Sequence, residues 1–211
     1  GMGGSSLAPE VMQEILGRSP GYAALTVLDA TDPAQIRRVA EAGDLAKALF
    51  IAASKSGTTI EMDSLTAYFR SRLQERVGEA WARHFVAITD AGTRLDEDAS
   101  QQKFRAIYRN PADIGGRYSA LSLFGLVPAA LIGVDLDRLL DRAREMAFSC
   151  RPTVGVAENP GLMLGAWMGA LATAQPPCDK LTLLTSPQLA PFGAWVEQLI
   201  AESTGKQGKG I

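Results

Sequence analysis

Short apolar stretches alternate with longer amphipathic stretches along the chain, and this alternation predicts its secondary structure. Five stretches are short, apolar or β-branched and bounded by polar or turn residues, which is typical of buried strands. They are residues 25–28, 48–53, 85–89, 104–108 and 181–184. Seven stretches follow a helical pattern: 8–16, 33–42, 59–77, 119–131, 136–148, 161–174 and 187–203. Strands that alternate with helices predict an α/β fold, in which a mainly parallel sheet is covered by helices on both faces.

Composition and charge limit the classes of partner. The chain has 211 residues, of which 46% are hydrophobic and 21% charged, so it can bury a core as one large domain or one domain with part of another. The formal net charge of −2 gives no basic surface for nucleic acid or an anionic membrane. An anionic ligand would therefore have to be held by a local site.

Membrane insertion, secretion and zinc binding are not indicated. The longest apolar run, 121–134, is shorter than the roughly 18 residues that span a bilayer, and Pro128 interrupts it. The first residues lack the pattern of a signal peptide. Cys150 and Cys178 are too few for a disulfide framework and form no zinc motif. We expect two reduced cysteines in a cytoplasmic protein without a metal or other cofactor.

The loop at 54–61 has the composition of a phosphate site. It follows a predicted strand, leads into a predicted helix and reads Ser54-Lys55-Ser56-Gly57-Thr58-Thr59-Ile60-Glu61. Four hydroxyls, a glycine that permits close approach and the free N–H groups of a helix start can bind a phosphate with few cations. Lys55 adds one positive charge. A plain hydroxyl-capped helix start is the alternative interpretation.

Three further stretches carry candidate chemistry. Gly3-Gly4-Ser5-Ser6 opens the first helix and permits close approach to a ligand. Gly115 and Gly116 precede Arg117 at the start of an apolar helix, where the helix dipole disfavours a cation unless an anion lies nearby. Glu202 is placed near a helix end, where a buried carboxylate could act as a general base. An exposed glutamate at a helix end is the simpler alternative.

Together these four stretches resemble the glucose-6-phosphate isomerase family and its sugar isomerase (SIS) domains. The matching pieces are residues 3–9, 54–61, 115–119 and 202–206, and they occur in the family's order. The amino-acid sequences of these four segments look most like those of the isomerase half of bacterial transaldolase/glucose-6-phosphate isomerase fusion proteins. The resemblance implies a three-layer αβα sandwich with flavodoxin-like doubly wound topology, from which the first strand is missing. It also implies a first SIS domain at 1–174 and the start of a second, truncated one at 179–211.

The resemblance implies a reaction and a role for each site residue. The family interconverts glucose 6-phosphate and fructose 6-phosphate through a cis-enediolate. Arg117 would stabilise the enediolate, and Glu202 would move the proton between C1 and C2. The substrate-binding residues would be Gly4, Ser5, Ser54, Lys55, Ser56, Thr58 and Thr59. The family also implies a homodimer or a higher homo-oligomer.

The chain departs from the family's pattern in its histidine and its length. The family's second SIS domain supplies a histidine for ring opening and a late lysine, but His84, the one histidine here, lies far from that motif. We therefore expect His84 to be structural. We also expect the stretch 181–184 to fill a vacant sheet edge or to pair with another copy of the chain.

Two other functions compete with an isomerase. The first is a non-catalytic sugar-phosphate-binding SIS module, which would need neither the base nor the arginine. The second, weaker one is a nucleotide-binding domain based on the glycines in Gly1-Met2-Gly3-Gly4, which do not follow a strand as that motif requires.

Overall fold

The computed structural model describes residues 3–211. Gly1 and Met2, which begin the glycine run considered for nucleotide binding, lie outside the described residues. The α-helices and strands, in chain order, are α1 (Gly4–Leu16), α2 (Pro33–Glu41), β1 (Phe50–Ala53), α3 (Ile60–Val77), β2 (Phe85–Asp90), α4 (Arg94–Gln101), β3 (Ala106–Asn110), α5 (Leu123–Leu131), α6 (Leu136–Ser149), α7 (Pro160–Ala172) and α8 (Phe192–Thr204). Four short 3₁₀ helices accompany them: Leu45–Lys47, Gly78–His84, Gly116–Leu121 and Pro187–Leu189.

The chain forms two compact units, one that ends at Val134 and one that spans Asp135–Ile211. The first contains a parallel sheet in the order β1-β2-β3. Ala53 and Ile88 contact Phe124 of α5 on one face of this sheet, while Ala52 and Ala87 belong to a separate core cluster on the other. Because successive strand residues point to opposite faces, helices cover both faces of the sheet. The predicted α/β class with a parallel sheet is confirmed.

Aromatic packing fills one end of the core in the first unit. Phe85 of β2 stacks on Phe50 of β1 with ring centroids 5.2 Å apart. Trp81 meets Phe85 edge to face at 5.9 Å. Leu73 of α3 is fully buried in the same cluster. This packing fixes the amino ends of the strands and leaves their carboxyl ends for loops.

Two of the predicted strands are wrong. Residues 25–28 form no strand, although Leu28 packs against the aromatic cluster. The apolar pattern of these residues indicates burial, and a segment can be buried without pairing with a neighbouring strand. Residues 181–184 also form no strand, and Leu184 is 94% exposed. The expectation that this stretch fills the sheet edge is therefore wrong for the single chain, because the sheet formed by residues 3–211 consists of β1, β2 and β3. Pairing with another copy stays a prediction.

The helices agree better with the predicted ones, with three exceptions. The predicted helix at 119–131 is divided into the 3₁₀ helix Gly116–Leu121 and α5, and the one at 187–203 into Pro187–Leu189 and α8. The sequence pattern missed α4, whose residues are mostly polar. Thr93 caps α4 by accepting a hydrogen bond from the Asp96 backbone N–H at 3.3 Å.

The second unit contains α6, α7 and α8. Neither α6 nor α7 has a buried residue, and Val196 of α8 is buried. The predicted division of the chain at 174–179 stays a prediction. In the part of the chain from residue 3 onward, no helix combines the length and the apolar character needed to cross a bilayer.

Candidate functional site

A pocket of about 380 Å³ lies at the carboxyl ends of the three strands, within the first unit. In parallel α/β sheets ligands bind at this edge, where strands give way to loops that enter helices. The pocket is lined by Gly4, Ser5, Ser54, Lys55, Ser56, Thr59, Asp90, Thr93, Gly116, Ser119 and Phe124. Three of the four stretches singled out in the sequence thus contribute to one cavity.

The loop after β1 is held in place by its own hydroxyl groups. The Ser54 side chain is buried, and its Oγ accepts a hydrogen bond from the Gly57 N–H at 3.1 Å. The same oxygen lies 2.9 Å from the Thr59 Oγ1. Backbone bonding anchors the loop to β2, because the Ser54 N–H donates to the Ile88 carbonyl at 3.0 Å.

The helix start that follows this loop has no side-chain cap. Thr59 occupies the N-cap position of α3, but no side-chain hydrogen bond caps the helix there. Its hydroxyl is instead placed against Ser54. The first N–H groups of an α-helix have no partner within the helix and carry a partial positive charge. An anion in the pocket could accept hydrogen bonds from them.

Gly57 makes the tight turn of this loop. Its φ of +65° lies in the left-handed region. A Cβ at this position would come within 2.7 Å of the Thr93 Cβ and 2.9 Å of the Leu95 N. The loop after β1 therefore packs directly on the start of α4.

A second pair of glycine-rich segments meets on the other side of the pocket. A Cβ on Gly4 would lie 2.2 Å from the Gly116 carbonyl oxygen, so the start of α1 is in backbone contact with the 3₁₀ helix Gly116–Leu121. The Ser119 Oγ donates to the same carbonyl at 2.6 Å, and the Ser6 Oγ donates to the Gly3 carbonyl at 2.9 Å. Segments more than a hundred residues apart in the sequence are thereby joined at the pocket.

Lys55 joins the loops that follow all three strands. Its ammonium donates to the Asp90 carboxylate at the end of β2. It also donates to the Ala112 carbonyl, after β3, at 2.8 Å. The positive charge of Lys55, which the sequence analysis predicted to bind a phosphate, is thus shared with the Asp90 carboxylate.

Some predicted site residues do not line this pocket. Thr58 is exposed, and its hydroxyl donates to the Ser56 Oγ at 3.1 Å. Arg117 lies in the 3₁₀ helix and not at the start of α5, and its guanidinium carbon is 5.4 Å from the centre of the Tyr118 ring. Arg117 directly follows the pocket residue Gly116.

Two further predicted residues, Glu202 and His84, are described by their own surroundings. Glu202 is on α8, in the second unit, where it is exposed and accepts a hydrogen bond from the Gln198 side chain at 3.2 Å. The burial that would favour a general base is therefore absent in the single chain. His84 lies before β2, at the amino end of the sheet, and its Nδ1 is 3.0 Å from the Ala48 carbonyl oxygen, as expected for a structural histidine.

Three pocket residues lie outside the stretches that the sequence analysis singled out: Asp90, Thr93 and Phe124. A signal existed for the first two. Residues 90–93 read Asp-Ala-Gly-Thr, follow a predicted strand and precede a helix, as the loop at 54–61 does. The polar composition of α4 hid that helix, and with it the second loop.

An ion pair fastens α4 to β3 beside the pocket. The Arg109 guanidinium lies 2.8 Å from Asp96 and donates from Nε at 3.0 Å, and the Gly92 N–H donates to the same carboxylate at 2.9 Å. The hydrogen bond from Arg109, followed by that from Gly92, lowers the pKa of Asp96 below its ordinary value. Among the described residues, no group of three His, Cys, Asp or Glu side chains could hold a metal ion.

This arrangement defines the class of protein. It is an α/β domain with a parallel sheet flanked by helices, and its hydroxyl-rich loop and open helix start lie at the sheet edge where such domains commonly bind ligands. The chain belongs to the phosphoglucose isomerase family, whose sequence model matches residues 1–209.

Curated relatives and solved structures agree with this family. The chain is 36% identical to a glucose-6-phosphate isomerase of Synechococcus elongatus over 210 residues, covering 98% of this chain and 39% of that protein. It is 38% identical to one of Thermosynechococcus vestitus over 212 residues, with the same coverage of each. A glucose-6-phosphate isomerase structure from Chlamydia trachomatis superposes with a TM-score of 0.85 at 29% identity, covering all of this chain and 41% of that one.

A hypothetical protein from Thermus thermophilus superposes with a TM-score of 0.87 at 31% identity, and this chain covers 50% of it. The chain thus spans about two fifths of the length of the curated relatives it matches, and up to half of the solved structures. The pocket described above lies inside the shared part.

Proposed function

We propose that this chain is a glucose-6-phosphate isomerase or a fragment of one, and that its pocket binds the phosphate of the hexose 6-phosphate. The observation that supports this most strongly is the convergence of Ser54, Ser56 and Thr59 at the open start of α3. Hydroxyl donors and a helix N-terminus suit a phosphate monoester, and the glycines at 4 and 116 leave room beside it for a sugar.

The chemistry would be aldose–ketose isomerisation through a cis-enediolate. In this proposal Glu202 moves the proton between C1 and C2, and Arg117 stabilises the negative charge on the enediolate oxygen. Gly4 and Ser5 line the sugar, while Ser54, Ser56 and Thr59, with Lys55 nearby, surround the phosphate. Thr58, which does not line the pocket, would support the phosphate site through its hydrogen bond to the Ser56 Oγ. No step in this scheme requires a metal or an organic cofactor.

Binding tests the phosphate assignment. The full chain is titrated with 5-phosphoarabinonate, a mimic of the enediolate, by calorimetry. Thr59→Val removes one hydroxyl at nearly constant size and should weaken binding about tenfold or more, since a hydrogen bond to a charged group contributes roughly 1.5–3 kcal/mol. Thr66→Val on the same helix, where the hydroxyl contacts the Met62 sulfur, is the matched control and should bind like the unmodified chain. Equal binding by all three proteins would contradict the assignment.

Turnover separates the isomerase from a non-catalytic SIS module. The module is favoured by the exposure of the Glu202 side chain. Conversion of glucose 6-phosphate to fructose 6-phosphate by the purified chain, lost in Glu202→Gln while 5-phosphoarabinonate still binds, would support the isomerase. Binding without any turnover would support the module.

Finer attributes are part of the same proposal. They are a role in glycolysis and gluconeogenesis, a cytoplasmic location, assembly as a homodimer or higher homo-oligomer, and kinship with the isomerase half of transaldolase fusion proteins. Membership of the phosphoglucose isomerase family supports the first two. Sedimentation of the chain over a range of concentrations tests its oligomeric state.

A further inference from the structure

Asp90 occupies an unexpected place for an acidic residue, in the wall of a pocket that is proposed to bind a phosphate. Its side chain is 14% exposed and its Oδ2 accepts the hydrogen bond from Lys55. Its Oδ1 is buried and has no hydrogen-bond partner among the described residues. A carboxylate this close to a phosphate would repel it unless a cation lay between them.

Lys55 is that cation, and most of its hydrogen-bonding capacity is already used. A lysine ammonium has three N–H donors. One is directed to Asp90 and one to the Ala112 carbonyl at 2.8 Å, which leaves one for a ligand. Because these two acceptors follow different strands, they fix the ammonium at one point of the pocket wall.

The pair also sets the charge of the pocket. Among the described residues that line it, Lys55 and Asp90 are the charged ones, and their charges cancel. The other polar groups are hydroxyls and backbone N–H groups, which bind an anion only where their geometry fits it. A pocket with a net positive charge would instead attract anions in general, in a strongly salt-dependent way.

We propose that Asp90 is a positioning and specificity-determining residue: it holds the Lys55 ammonium in place and balances its charge, so that the pocket selects a sugar phosphate by hydrogen-bond geometry over small inorganic anions. This inference rests on the proposed function for the identity of the preferred ligand. The effect of Asp90 on the charge of the pocket applies to any phosphate. The role of Asp90 and the proposed function can therefore be tested separately.

The experiment measures binding of two probes, inorganic phosphate and 5-phosphoarabinonate, to the full chain at about 20 and 200 mM salt. Asp90→Asn should bind inorganic phosphate about tenfold more tightly at low salt, lose most of that gain at high salt, and discriminate less between the probes. Glu75→Gln is the matched control: it removes one carboxylate from an exposed pair with Arg72 near the far end of α3 and should bind like the unmodified chain.

A double-mutant cycle provides the second measurement and does not depend on Asp90→Asn alone. Lys55→Met leaves the Asp90 carboxylate without its counter-charge and should weaken binding of both probes at least tenfold. Adding Asp90→Asn to Lys55→Met should restore binding to within a few-fold of the unmodified chain. A merely structural role for Asp90 would make the double variant worse than either single one.

Each outcome separates the two proposals. If Asp90→Asn leaves the salt dependence unchanged and the double variant is not restored, the role of Asp90 is overturned, while binding of 5-phosphoarabinonate by the unmodified chain keeps the proposed function. If the charge effects appear but 5-phosphoarabinonate binds no better than inorganic phosphate, balancing of charge by Asp90 stands and sugar-phosphate selection fails. If no protein binds either probe, both are overturned.

Discussion

At the scale of single residues, the pocket depends on positions where a side chain would not fit. Gly57 combines a left-handed backbone with close contact to Thr93, and Gly4 lies against the Gly116 carbonyl. The two contacts bring four chain segments together without using side-chain volume. Because the glycines have no side chains, the pocket between these segments keeps room for a ligand.

The contact between Gly4 and Gly116 leaves no room for a side chain at Gly4 but leaves room for one at Gly116, so the two substitutions to alanine test it. Gly4→Ala would place a Cβ 2.2 Å from a backbone oxygen, so the backbone must move, and we expect the free energy of unfolding to fall by about 2–4 kcal/mol. Gly116→Ala is the control, because no atom lies within 4 Å of its Cβ position, and it should change stability by less than about 1 kcal/mol. Urea unfolding followed by circular dichroism measures both; similar losses in the two variants would argue against this contact.

At the scale of elements, the loops are held to one another by polar contacts between helices and strand ends. Arg109 at the end of β3 and the Gly92 N–H both bind the Asp96 carboxylate on α4. Thr93, which caps α4, also contacts the Thr89 hydroxyl at 2.7 Å. The start of α4 is thereby fixed to two strands, and through Gly57 it supports the loop after β1.

Protonation of Asp96 should loosen this attachment. Because the pKa of Asp96 is lowered in the folded state, its contribution to stability is fully present above the pKa of an unfolded aspartate, about 3.9, and is lost as the pH falls through the lower folded value. We expect Asp96→Asn to be less stable than the unmodified chain at pH 7 and to show a smaller further loss below about pH 4. Unfolding by urea at a series of pH values measures the difference.

Asp98→Asn provides the comparison on the same helix. Its carboxylate lies 3.5 Å from Arg94 and is 44% exposed, so removing it should change stability little at any pH. A parallel pH dependence for Asp96→Asn and the unmodified chain would show that Asp96 is not the group responsible.

At the scale of the whole molecule, apolar surface is unevenly distributed. The helix α7 is apolar on most of its surface, yet Trp167 is 66% and Leu164 is 62% exposed. Helices that are apolar on all sides are normally buried. With a net charge of only −2, electrostatic repulsion between molecules is weak, so such a surface favours association.

Charged substitutions on α7 should therefore make the isolated chain less prone to associate. We expect the weight-average mass in analytical ultracentrifugation to rise with concentration for the unmodified chain and to rise less for Trp167→Lys and Leu164→Lys. Ser149→Lys adds the same charge to an exposed polar position on α6 and serves as the control. A response from the control equal to that of the α7 variants would assign the effect to net charge and not to the apolar surface.

Local sequence determined the class of fold and most of the candidate loops, because those depend on the short-range pattern of apolar, β-branched, glycine and hydroxyl residues. The strands β1–β3, their parallel arrangement and the loop at 54–61 were predicted for this reason, and the order of four motifs indicated the family that the comparisons show. Where burial and strand pairing differ, the pattern failed: residues 25–28 are apolar because Leu28 packs on the core, without pairing. The polar helix α4 was not predicted, because it is held in place by a cap and an ion pair and not by an apolar face.

Only the tertiary structure decided which of the candidate residues meet. It joined Gly4 to Gly116 and set Thr93 against Gly57, contacts between segments far apart in the chain that no local pattern encodes. It also placed Asp90 beside Lys55, so that a lysine which the sequence assigned to a phosphate proved to share its charge with a carboxylate. The physical reason is the same throughout: a motif specifies what its own residues can donate or accept, whereas the net charge and shape of a pocket depend on every strand end that reaches it.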